Sequence, residues 1–303
     1  MSRASGSAAA PERAATVEQE APSTPAAGKG TPKAAGSVTL RVARFDPYRD
    51  TELHWQTYQV PTVPGMTVLD ALFSVKEHQD GSLAFRSSCR MGVCGSCGMF
   101  INGKPRLACQ TQVVELGDTI EVAPLPNHDV IRDLVPDLTP TFEKHRAVKP
   151  YLIRQDGAEM EAPTREFRQT PEEMEAYLQF AYCLKCSLCV AACPTVATDP
   201  HFLGPQALAQ AYRYTADSRD GGWAERLPVL DTTHGVYECH LAGACSEACP
   251  KGVDPAFGIQ LLKRTVVRGG PDRAPAPVMG PLPPPSDKTP DGKPRLQAPP
   301  PTV

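Results

Sequence analysis

Eleven cysteines fall in three groups along a chain of 303 residues, and their spacing is that of iron–sulfur ligands. Cys89, Cys94 and Cys97 form a C-x4-C-x2-C run followed by Cys109. That is the plant-type arrangement, in which four thiolates hold a [2Fe–2S] cluster. Gly92, Gly95 and Gly98 are interleaved among them. Glycine admits positive φ and lets backbone N–H groups turn inward toward sulfide, as a loop wrapped on a cluster requires. A structural zinc site takes two well-separated ligand pairs, not three cysteines within nine residues.

Cys183, Cys186, Cys189 and Cys193-Pro194 form C-x2-C-x2-C-x3-C-P, the bacterial two-cluster run whose fourth cysteine ligates the other cluster. Such a run needs a partner group, and Cys239, Cys245 and Cys249-Pro250 supply it. A full repeat starting at Cys239 would put its second cysteine at 242, where the chain has Ala242. Counted crosswise, Cys183, Cys186, Cys189 and Cys249 make a complete [4Fe–4S] set. Cys193, Cys239 and Cys245 make a set of three, which predicts [3Fe–4S]. No cysteine is left over.

The odd count excludes complete disulfide pairing, and the cysteine content is far below that of a small secreted disulfide scaffold. A net charge of −3 and a pI near 6.2 offer no electrostatic case for nucleic acid. No apolar run approaches the roughly 18 residues of a membrane-spanning helix. The chain opens without an apolar stretch, which excludes a secretory signal, and Glu12, Glu18 and Glu20 argue against a transit peptide. A reducing compartment follows. Residues 271–303 hold 12 of the 33 prolines, and residues 1–36 hold 11 alanines and no aromatic residue. Both read as disordered tails.

The elements that must carry the cysteines lie between. Val38–Val42 and Trp55–Val60 alternate apolar and polar residues and read as half-buried strands, the second ended by Pro61 and Pro64-Gly65. Thr67–Lys76 spaces Val68, Leu69, Leu72 and Val75 as a helix. Met99–Ile101 and Thr119–Val122 are further strands, and Asn102-Gly103 is a hairpin turn. Beyond a boundary near residues 127–140 the pattern turns helical. Thr170-Pro171-Glu172-Glu173 carries an N-cap, a proline at N1 and a capping box. Gly204-Pro205-Gln206 and Pro255 open two more helices. The division predicted is a tail over 1–36, a sheet domain over 37–132, a helical domain over 133–270 and a tail over 271–303, an α+β chain.

With these residues in view, the sequence resembles the iron–sulfur subunit of succinate dehydrogenase and fumarate reductase over about residues 37–268. The resemblance rests on Arg86-Ser87-Ser88-Cys89-Arg90-Met91-Gly92-Val93-Cys94-Gly95-Ser96-Cys97, on the Cys183 run and on Cys249-Pro250-Lys251-Gly252-Val253-Asp254-Pro255. It implies a β-grasp ferredoxin domain followed by an α-helical ferredoxin domain. It also implies a flavoprotein partner with covalent FAD and a membrane-anchor partner able to carry haem b. Electrons would pass singly through [2Fe–2S], [4Fe–4S] and [3Fe–4S] to a quinone, and the chain itself would hold no acid–base or nucleophilic machinery. The expected place is the cytoplasmic face of a bacterial membrane. Lys263, 14 residues after Cys249, matches a family lysine near the quinone, and His240 beside Cys239 is a second quinone candidate. Trp55, Trp223, Tyr212 and Tyr214 read as packing residues. Thr195–Asp199 lacks the aromatic residue of ubiquinone-linked members; with a complete first group and Ser246-Glu247 before Cys249, this leans toward a menaquinone-linked fumarate reductase. Competing readings are a soluble multi-cluster carrier and the iron–sulfur part of another quinone- or disulfide-linked reductase.

Overall fold

Strand alternation builds the first half of the molecule. In the computed structural model, which describes residues 36–164 and 166–271, β1 (Ser37–Arg44) turns Val38, Leu40 and Val42 inward and Ser37 and Arg41 outward. Apart from Gly36 and Pro271, the two expected tails lie outside the described residues. The next strand, β2 (His54–Pro61), pairs antiparallel with β1 and sets Tyr58 opposite Leu40. Helix α1 (Val68–His78) buries Val68, Leu69, Leu72 and Val75, as their spacing predicts. Thr67 caps it: its hydroxyl accepts the Asp70 N–H while the Asp70 carboxylate accepts the Thr67 N–H.

The strands β3 (Gly98–Ile101) and β4 (Lys104–Leu107) are joined through Asn102 and Gly103, both at positive φ. With β5 (Thr119–Ala123) they complete a five-stranded sheet in the order β2-β1-β5-β3-β4. Only the central β1–β5 pair is parallel. This mixed sheet with α1 across it is the β-grasp arrangement. Strand β4 went unforeseen because Lys-Pro-Arg-Leu has no alternation; its Pro105 is tolerated on the sheet edge, where that N–H has no ladder partner to lose. A short ribbon of β6 (Val130–Arg132) and β7 (Val135–Pro136) follows. Buried Arg44 ties that ribbon to β1 by bonding Asp133 at 2.9 Å, Tyr58 at 2.6 Å and Ser82 at 2.8 Å.

Helices then take over: α2 (Thr139–Ala147), α3 (Gly157–Glu161), α4 (Pro171–Glu175), α5 (Leu178–Ala181), α6 (Leu188–Ala191), α7 (Pro194–Thr198), α8 (Gly204–Thr215), α9 (Trp223–Leu230), α10 (Ala244–Glu247) and α11 (Pro255–Val267). The capping box at Thr170 forms as expected, yet α4 stops after one turn. Most of these helices are short because ligand-bearing loops interrupt them. The long pair, α8 and α11, packs Leu208, Ala211, Ile259, Leu262 and Val266 into one core with Val196 and Phe202. Arg226 on α9, fully buried, bonds both oxygens of Asp220 and the carbonyls of Val148, Lys149 and Tyr151. The halves are not separate beads: Leu188 and Ala191 of α6 belong to the apolar core that underlies the sheet. No described helix is long and apolar enough to cross a membrane.

Candidate metal centres

The first loop closes on itself through its own backbone. The N–H groups of Met91 and Val93 each point at the Cys89 sulfur at 3.4 Å, and those of Cys89 and Ser96 point at the Cys94 sulfur at 3.5 Å. Positive φ at Gly92 (+71°) and Gly95 (+75°) makes this curl possible. Gly98 serves differently. It starts β3 at ordinary φ, and a Cβ there would meet the Cys186 carbonyl at 3.2 Å and the Leu188 side chain at 3.2 Å. Cys97 and buried Cys109 face one another from the loop's end and the far side of β4. The Ser96 hydroxyl and the N–H groups on its sulfur bring the Cys94 thiol down to about 6, while burial pushes Cys97 up to about 12.

Four sulfurs from two distant segments line a second small cavity: Cys183, Cys186, Cys189 and Cys249. A third cavity is lined by Cys193, Cys239 and Cys245, with Ala242 on its wall. The two cavities thus divide these seven thiols four and three. Residues other than glycine hold left-handed conformations in these loops, namely Lys185, Ser187 and Leu241, and nothing in the sequence signals that. Burial pushes Cys186 and Cys245 each up to about 11 and Cys189 well above its ordinary value. Crowded thiols of this kind ionise only when a cation joins them, and iron is such a cation. The donor sets, all thiol and of four, four and three, fit iron–sulfur clusters.

The three sets are neighbours. A Cβ on Gly95 would lie 2.7 Å from Cys186 Cβ, so the first loop rests directly on the second. Cys245, of the third set, acts electrostatically on Cys189 of the second. Asn127, unforeseen in the sequence, locks this junction. Its amide donates to the carbonyls of Val190 at 2.9 Å and Cys193 at 3.1 Å, across the boundary. His128 next to it meets Ser187 Oγ at 2.7 Å.

Of the two quinone candidates, Lys263 donates from Nζ to the Cys239 carbonyl at 2.7 Å, which sets an ammonium against the third loop. His240 is exposed and lines the same cavity. The aromatic residues lie off this line: the Arg41 guanidinium covers the exposed ring of Trp55, Trp223 Nε1 donates to the Gly269 carbonyl, and Tyr212 packs edge-on to Phe180. Gln206, on the first turn of α8, lines the second cavity and carried no sequence signal.

Residues 39–143 match the 2Fe-2S iron-sulfur cluster binding domain, and residues 179–253 match the 4Fe-4S dicluster domain. The fumarate reductase iron-sulfur subunit of Mycobacterium tuberculosis is 48% identical over 229 residues, which cover 75% of this chain and 92% of that one. The succinate dehydrogenase iron-sulfur subunit of Paracoccus denitrificans is 39% identical over 245 residues, 79% of this chain and 93% of that one. In three dimensions the chain superposes on one from the Mycobacterium smegmatis Sdh1 complex in the apo form with a TM-score of 0.69 at 29% identity, covering 81% of this chain and all of that one. Cluster-binding loops in this order, on this sheet and these helices, together with relatives matched over nearly their whole length, establish that the chain belongs to the iron–sulfur subunits of the succinate dehydrogenase and fumarate reductase family.

Proposed function

We propose that this chain carries electrons between an FAD-bearing flavoprotein that interconverts succinate and fumarate and a quinone held at a membrane-anchor partner, on the cytoplasmic face of the membrane. Cys89, Cys94, Cys97 and Cys109 hold [2Fe–2S]. Cys183, Cys186, Cys189 and Cys249 hold [4Fe–4S], and Cys193, Cys239 and Cys245 hold [3Fe–4S]. The first set belongs to a domain over 37–132 and the other two to a helical domain over 133–270. When bound, these clusters supply one-electron carriers between a two-electron donor and a two-electron acceptor.

The observation that carries the reading is the line of three thiol sets, joined where Gly95 meets Cys186 and where Cys189 neighbours Cys245. The chain's own work is to fix these spacings and keep water away from the sulfurs. Lys263 adds a positive charge where the quinone end of the line would gain negative charge. Leu241 (55% exposed) and Tyr237 (48% exposed) flank the third set with apolar surface suited to an anchor partner. Menaquinone and the fumarate reductase branch are supported by Thr195–Asp199, which lacks an aromatic residue, and by the higher identity to the relatives named fumarate reductase.

The test is isolation of the complex from native membranes with identification of its subunits and quinone, followed by electron paramagnetic resonance of the air-oxidised preparation. A flavoprotein, an anchor, menaquinone and a [3Fe–4S] signal are expected. A chain that purifies alone and fully loaded would be a carrier, and the proposal would fail.

A further inference from the structure

One wall of the cavity lined by Cys183, Cys186, Cys189 and Cys249 comes from neither cysteine run. It is the first turn of α8, and Gln206, only 2% exposed, faces the cavity from there. Ser187 and Gln206 are the buried polar residues other than cysteine in that lining. The Ser187 hydroxyl is engaged by His128 at 2.7 Å. The Gln206 amide is 3.1 Å from Nδ1 of buried His145, and its Oε1 has no hydrogen-bond partner. A buried amide half-satisfied in this way is costly unless a further group meets it. Gln206 Nε2 carries a second N–H beside the one on the His145 side, and Cys183 lines the same small cavity. Around a bound cluster every sulfur is an acceptor, so the amide must present N–H. On its other side Gln206 borders a cleft of about 400 Å³ shared with Asn127, His128 and Lys144. The residue is thus placed both to donate into the cluster cavity and to part it from solvent.

We propose that Gln206, held in place by His145, is a positioning residue that donates an N–H hydrogen bond to the Cys183 sulfur and raises the reduction potential of the [4Fe–4S] centre. This rests on the ligand assignment proposed above. The physical reason is charge. Reduction adds an electron to a centre whose sulfurs already carry negative charge, and a fixed N–H dipole stabilises the reduced form more than the oxidised one.

The experiment is a redox titration of the intact complex, followed by electron paramagnetic resonance. It compares the wild type with Gln206→Leu, Gln206→Met and Gln210→Leu. Leucine and methionine keep the partition closed, so solvent entry does not confound the result. Gln210 sits one turn along the same helix, equally buried, but donates to the Phe180 carbonyl at 2.9 Å and does not line the cavity. Both Gln206 variants should lower the reduced-to-oxidised ratio of the [4Fe–4S] centre about tenfold at fixed potential, a shift of about 59 mV for one electron. The other two centres should stay in place, as should all three in Gln210→Leu. Should Gln206→Leu assemble poorly, the more flexible Gln206→Met carries the same expectation. An unmoved potential in both Gln206 variants, or an equal shift in Gln210→Leu, overturns the proposal while leaving the ligand assignment intact. A wild-type complex with no [4Fe–4S] signal overturns the assignment and this proposal together.

Discussion

Gly95→Ala isolates the contact on which the line of centres depends. Two costs arise there. At φ +75° an L side chain pays about 1–2 kcal/mol for the left-handed conformation. The new Cβ would also lie 2.7 Å from Cys186 Cβ and 3.0 Å from its Cα, against roughly 3.5–4.0 Å for a comfortable carbon contact. The obstacle is backbone and a cluster ligand, so relief requires the two loops to part by about 1 Å, with an overpacking cost of about 1–3 kcal/mol. The sum is roughly 2–5 kcal/mol. Gly103→Ala is the matched control, because Gly103 has φ +73° and nothing within 4 Å of its would-be Cβ; it should pay only the first cost. Anaerobic urea unfolding of the cluster-loaded chain measures both. The magnetic coupling between the reduced first and second clusters should weaken in Gly95→Ala alone. Equal destabilisation by the two substitutions, with coupling unchanged in both, would refute the argument that close approach at Gly95 sets the spacing.

Ala242→Cys adds a thiol to the wall of the third cavity and should convert [3Fe–4S] toward [4Fe–4S], seen as loss of the oxidised-state resonance; persistence of the full signal would count against the three-ligand set. Lys263→Met removes the ammonium at the Cys239 carbonyl and should slow quinone turnover about tenfold, less than the ~10²–10³ of a fully enclosed donor, while flavin-to-cluster transfer is unchanged; unaltered quinone kinetics would take Lys263 out of the site. Arg226→Met takes the guanidinium from three carbonyls and from the Asp220 carboxylate, which keeps the Ile153 and Gly222 N–H groups, and should cost roughly 3–5 kcal/mol by urea unfolding, whereas a cost below about 1 kcal/mol would mean water takes the cation's place. Burial lowers His145 from its ordinary 6.5 to about 4, so below pH 6.5 the unfolded chain binds a proton that the folded chain refuses. Its contribution to stability is present above pH 6.5 and is lost as pH falls toward 4, about 2 kcal/mol between pH 7 and pH 5; His145→Gln should flatten that part of the stability profile, and an equally steep profile in the variant would dismiss the assignment.

Much of the fold was legible because its signals are local. Alternation marked β1 and β2, helical spacing marked α1, and Asn102-Gly103 marked the hairpin, since each depends on neighbours in sequence. Strand β4 was silent because an edge strand carrying proline needs no pattern of its own. The left-handed Lys185, Ser187 and Leu241 were silent too, because strain at a residue other than glycine is imposed by surrounding packing. The interlocking of the two halves at Leu188 and Ala191 had no sequence signal either.

The cysteine spacing by itself marked the iron–sulfur loops and the position without a thiol, because ligand geometry is written into short intervals along the chain. Only the tertiary structure decided what surrounds the sulfurs. That the first loop rests on Cys186 through Gly95 and that Asn127 ties the linker to the carbonyls of Val190 and Cys193 are contacts between residues 63 to 91 positions apart, and Gln206 lines the cavity of Cys183 from a helix of its own. Spacing cannot encode them, because they depend on which faces the core brings together.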